Sequence, residues 1–84
     1  MAAEAPAARS LLEALVRALV TEPDAVKVED FAEDDGTVVL ELSVADDDYG
    51  QVIGRGGRTA QALRTVIKAA AVKDNRRVLI DIVE

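Results

Sequence analysis

The 84 residues contain no cysteine, no histidine and no tryptophan. Without cysteine there is no disulfide framework, no thiolate metal site and no cysteine nucleophile. Without histidine the commonest general base and the commonest transition-metal ligand are both missing. Phe31 and Tyr49 are the only aromatic residues, too few for a base-stacking platform of the kind many single-strand binders use. The longest apolar run is Ala69–Val72, far short of the ~20 residues that span a bilayer. The opening Met-Ala-Ala-Glu has neither a basic nor an apolar stretch, so no secretory signal is expected. These absences point to a cytoplasmic, non-enzymatic protein with no membrane association, no metal and no cofactor.

What is present is half apolar and 31% charged, the composition of one small globular domain. The net charge of −6 is unevenly laid out. Residues 1–50 carry 3 basic and 13 acidic side chains; residues 51–84 carry 7 basic and 3 acidic. Between 51 and 73 stand Arg55, Arg58, Arg64, Lys68 and Lys73 with no acid among them. Such asymmetry fits a polyanion-binding face, and equally an attraction between the two halves of the fold.

Residues 1–9 have a proline and no apolar period, and read as a flexible tail ahead of a domain over 10–84. Ser10-Leu11-Leu12-Glu13 has the spacing of a capping box, and Leu11, Leu12, Leu15, Val16, Leu19 and Val20 follow at helical spacing. Pro23 ends that helix. Val26–Phe31 and Thr37–Val44 read as strands joined by the Glu33–Gly36 turn, an antiparallel hairpin. Asp46-Asp47-Asp48 then opens a short helix through Ile53, its carboxylates placed to cap free amides. A second helix is expected from Arg58 to Lys73, and Val78, Ile80 and Ile82 alternate through a last strand.

Between the last two helices lies Val52-Ile53-Gly54-Arg55-Gly56-Gly57-Arg58. Glycine permits a sharp reversal and close approach of another backbone, the amides opening the next helix favour an anion, and Arg55 and Arg58 add positive charge. These are the parts needed to hold a phosphodiester backbone. A dinucleotide fingerprint would need glycine where Thr59 stands and a strand before the loop; a P-loop needs Gly-Lys-Ser/Thr, which is absent. Ser10 and Ser43 have no histidine partner for nucleophilic catalysis. The runs at Asp46–Asp48 and Glu33–Asp35 read as solvated turns and caps rather than cation sites.

In this helical setting Val-Ile-Gly-x-x-Gly resembles the KH RNA-binding domain, and the leading helix and hairpin match its type II order. The stretch Tyr49–Thr59 and the following Ala62–Ala70 are similar to small bacterial single-KH proteins, the KhpA-like family, and the resemblance runs from Ser10 to Val83. It implies an α+β fold of order α-β-β-α-α-β, with three helices on one face of a three-stranded mixed sheet. It further implies a groove for about four nucleotides of single-stranded RNA, backbone against the loop. Carried over, Gly54, Arg55, Gly56 and Gly57 form the clamp, Arg58, Gln61 and Arg64 flank it, and Ile53 lines an apolar wall. Many KH domains carry a large aliphatic residue where this chain has Ala60, which implies a shallower groove.

The expected function is RNA binding as an RNA chaperone or post-transcriptional regulator. The resemblance also implies a homodimer or a heterodimer with a second KH protein, and through it a link to cell-envelope or division control. Val39, Leu79 and Val83 are expected to share the sheet face away from the helices and to offer the contact. The alternative is a protein-interaction module of the same fold with little RNA affinity of its own.

Overall fold

The computed structural model describes residues 4–84. Helix α1 (Pro6–Leu19) leads into a single 3-10 turn at Pro23–Ala25 and the hairpin of β1 (Lys27–Ala32) and β2 (Val38–Ser43). A second 3-10 turn at Asp46–Asp48 runs into α2 (Tyr49–Ile53); the glycine loop connects it to α3 (Arg58–Asp74), and β3 (Val78–Ile82) closes the chain. The sheet order is β1-β2-β3, antiparallel for the first pair and parallel for the second. This is the α+β arrangement expected, a mixed sheet with its helices on one face.

The alternation of the strands decides that face. Val28, Val38, Leu40, Leu42 and Val78 join Leu12 and Val16 of α1, Val52 of α2, and Leu63 and Ile67 of α3 in one core. Each large side chain removed from water here contributes about 2 kcal/mol. Residues one step out of phase turn to the open face: Glu29, Glu41 and Asp81 stand in register across the three strands, as do Phe31, Val39 and Leu79.

Two local expectations are corrected. The capping box at Ser10 does not form, because α1 begins at Pro6 and Ser10 lies inside it. Proline at the first helical position needs no amide partner, and Ala5 and Ala8 are buried in the core. The domain therefore takes in residues that composition alone reads as tail; residues 1–3 of that expected tail lie outside those described. The missing cap comes from elsewhere: Asp74, the last residue of α3, accepts from the amides of Ala7 and Ala8, both at 2.9 Å.

The second correction concerns Asp46–Asp48, of which none caps α2 through its side chain. Asp48 is only 1% exposed. It turns back to accept from the Thr21 amide at 3.0 Å, the Thr21 hydroxyl at 2.9 Å and the Glu22 amide at 3.2 Å. The Thr21 amide foremost, then the Thr21 hydroxyl and the Glu22 amide, hold its carboxyl below the ordinary range against the opposing effect of burial. This tether fixes the entry to α2. Tyr49 adds a second by donating its hydroxyl to the Val83 carbonyl at the end of the sheet. With its start held twice, α2 delivers the glycine loop at a fixed place beside α3.

Candidate nucleic-acid interface

The loop is a strained reversal, and at its first position glycine alone is accommodated. Gly54 has φ 76° and ψ 169°, a region of backbone space essentially closed to other residues. A Cβ built there would lie 2.2 Å from Thr59 Oγ1 and 2.8 Å from the Thr59 amide nitrogen. Gly56 (φ 64°) and Gly57 (φ 78°) are left-handed as well, yet open space surrounds both. Gly54 is thus fixed by sterics and by torsion, Gly56 and Gly57 by torsion alone. The turn closes with Gly54 N–H donating to Gly50 and Gly57 N–H to Gly54, and no side chain caps the first turn of α3.

This geometry sets out the charges. Arg55 and Gly56 sit exposed at the tip. Arg58, Gln61, Arg64 and Lys68 follow at intervals of three and four, so they form one stripe down α3 from the loop. Arg58, Gln61 and Lys68 are exposed and Arg64 is half-buried. Among the described residues the ion pairs involve Arg9, Arg17, Lys27 and Arg76, leaving Arg55, Arg58, Arg64 and Lys68 without a carboxylate. Their charge is available to a ligand rather than spent on the acidic half of the chain.

Beside the stripe, a small cleft of about 70 Å³ separates α3 from the edge strand β3, lined by Arg64, Ile67, Lys68, Val78, Leu79 and Ile80. Its walls combine two cations with aliphatic side chains, a setting for phosphate on one side and the flat face of a base on the other. Ile53 is part-exposed at the loop's near side. Ala60 lies on the buried side of α3 with Leu63, Ile67 and Ala71, so its size bears on packing rather than on an exposed groove wall. Lys68, Leu79 and Ile80 join the candidate residues through the structure. Lys68 follows Arg64 by four, a signal present in the sequence; the two β3 residues depend on β3 being an edge, which only the sheet order reveals.

A family model described as KhpA/KhpB, KH domain, matches residues 9–82. Relatives named RNA-binding protein KhpA include one from Halalkalibacterium halodurans, 51% identical over 90% of this chain and 99% of the relative. Another, from Clostridium acetobutylicum, is 49% identical over 89% and 99%. A third, from Chlamydia pneumoniae, is 36% identical over 90% and 96%. A crystal structure of Era in complex with MgGDPNP and nucleotides 1506–1542 of 16S ribosomal RNA aligns over 89% of this chain and 28% of the other, with a TM-score of 0.54. At 19% identity that likeness shows the fold alone. The reversed loop between two helices, the mixed sheet behind it and a family match over nearly the whole length agree: this chain belongs to the KhpA/KhpB family of KH domains.

Proposed function

We propose that the chain binds single-stranded RNA along the loop, the α3 stripe and the β3 edge, and acts as an RNA chaperone or post-transcriptional regulator. The observation that carries this reading is the stripe of Arg55, Arg58, Arg64 and Lys68, free of carboxylates and leading from the uncapped start of α3 into an apolar cleft. Its relatives' shared name, RNA-binding protein KhpA, supports it. Phosphate contacts dominate, so affinity outweighs sequence preference.

One groove of this size touches few nucleotides, and a second copy or a second KH protein would raise avidity without new contacts. A link to cell-envelope or division control would enter through such a partner. An apolar groove of about 310 Å³ between α1 and α3, lined by Leu15, Leu19, Ala62, Leu63 and Val66, suits that association. The open sheet face suits self-pairing less well, because it carries the Glu29, Glu41 and Asp81 row beside Val39 and Leu79.

The test is the Arg55→Asp, Gly56→Asp double variant. It places two negative charges where a phosphate would sit, and Gly56 has room for a side chain. Aspartate visits left-handed torsions more readily than most residues, so the fold is retained. RNA affinity should fall at least about tenfold, which needs ~1.4 kcal/mol. A folded variant that binds RNA like the parent would remove the loop from the interface.

A further inference from the structure

We infer that the open face of the sheet is a docking surface for a cationic protein segment that carries aliphatic side chains between its lysines or arginines. The face is built in two adjacent rows. Phe31, Val39 and Leu79 stand side by side across the three strands; Phe31 is 44% and Leu79 46% exposed, and between them they leave Val39 only 8% exposed. One step along the strands, Glu29, Glu41 and Asp81 stand side by side in the same way.

The second row names the occupant. Like charges directly opposite on neighbouring strands are destabilising, and this sheet places three in line. Only Glu29 has a cation, Lys27 at 3.1 Å; among the described residues Glu41 and Asp81 have none. A row of carboxylates beside the exposed side chains of Phe31 and Leu79 is complementary to a strand or helix that presents ammonium or guanidinium groups next to aliphatic ones. A nucleic acid would meet repulsion here, and a second copy of the same face would bring a second acidic row against the first. The face lies across the sheet from the helices; it shares Leu79, at the β3 margin, with the α3 cleft, and the arginines and lysine of the α3 stripe stay clear of the occupant.

The test uses the full chain, isotopically labelled, titrated with a short synthetic peptide alternating lysine and valine and followed by amide chemical shifts. The expected result is that shifts concentrate at Glu29, Phe31, Glu41, Leu79 and Asp81. Affinity should fall at least about tenfold in the Glu29→Gln, Glu41→Gln, Asp81→Asn variant. A control removing three charges elsewhere, Glu22→Gln, Asp24→Asn, Asp34→Asn, should change it less than about twofold. Glu41→Lys alone, which gives Glu29 and Asp81 a partner instead of a repulsion, should likewise abolish peptide binding in a folded protein. Shifts spread over the whole acidic surface, or an equal loss in the control, would overturn the assignment. So would shifts at Glu29, Phe31 and Glu41 from added oligouridine, or from raising protein concentration with no peptide present.

Discussion

The carboxylate of Asp74 caps a helix whose first turn, at Ala8, lies 66 residues earlier in the chain. A negative charge in the last turn of α3 is unfavourable to that helix's own dipole and favourable to the start of α1. The contact therefore couples the two ends of the helical layer. Asp74→Ala should cost about 1 kcal/mol, the usual worth of an N-cap, and lower Tm by about 4–8 °C in a domain of this size. Asp74→Asn, which keeps one acceptor, should fall between. Thermal melts followed by circular dichroism measure both, and a Tm unchanged in Asp74→Ala would show the cap to be idle.

Gly54→Ala should be far worse than Gly56→Ala, although both change one hydrogen to a methyl. At Gly54 the methyl meets the side chain and amide nitrogen of Thr59 in backbone space that costs of order 1–3 kcal/mol by itself. At Gly56 only the left-handed torsion opposes it, about 1 kcal/mol. Removing the Thr59 side chain in a Gly54→Ala, Thr59→Ala pair should restore part of the loss only, since the amide nitrogen remains. Denaturant melts of the three variants rank them; equal stabilities for the two single variants would contradict the geometry.

Acid should loosen the join between α1 and α2. Asp48 is held below its unfolded-state pKa by the Thr21 and Glu22 donors, and Asp35 is lowered chiefly by the Thr37 amide. A carboxyl lowered on folding contributes stability that is complete above its unfolded pKa and is lost as pH falls through the folded one. Tm should therefore hold steady from neutral pH to about 5 and drop below about 4. Asp48→Asn should have a lower Tm at neutral pH and a flatter acid limb. Melting curves recorded across that range would refute the tether if the two proteins ran parallel.

RNA affinity should fall with salt in proportion to the phosphates neutralised, at about −0.7 in log K per log salt for each on a single strand. The four cations without a carboxylate among the described residues predict a slope of roughly −3, and Arg64→Ala with Lys68→Ala should reduce its magnitude by roughly 1.4. Fluorescence anisotropy at several salt concentrations gives the slope. A steep parent slope left unchanged in the double variant would move the RNA away from the α3 cleft.

Charge placed on an apolar contact separates the two faces for self-association. Val66, 45% exposed beside the α1–α3 groove, and Leu79 on the sheet are both accessible, so Val66→Asp and Leu79→Asp should both fold. Val66→Asp should raise the dimer dissociation constant at least about tenfold, and Leu79→Asp should leave it within about twofold. Sedimentation at graded concentrations decides; the reverse pattern would return the contact to the sheet.

Much of this was legible in the sequence because the signals were local. Alternation at Val38, Leu40 and Leu42, the helical spacing from Leu11 to Leu19, and the glycines after Ile53 each depend on neighbours within a few residues. The failures were all long-range. Ser10 matched a cap pattern, but burial of Ala5 and Ala8 carried the helix past it to Pro6. Asp48 sat where a cap belongs, yet the amides after α1 competed for it and won. Neither Asp74 nor Thr21 advertises its partner, since nothing in sequence spacing says which ends of which helices will meet. The sheet edge at β3, and with it Leu79 and Ile80 of the cleft, followed only from strand order.

Among the described residues no strand pairs with the outer side of β1, one margin of the sheet. Asp30 stands in that strand with its side chain turned inward, its carboxylate bonded to Arg9 at 2.7 Å and to the Glu4 amide at 2.6 Å. An inward charge on a marginal strand discourages another chain from adding its own strand there. The carboxylate that seats α1 on the sheet thus also guards against fibrous self-assembly, and loss of the Asp30 charge should show first as turbidity on concentration.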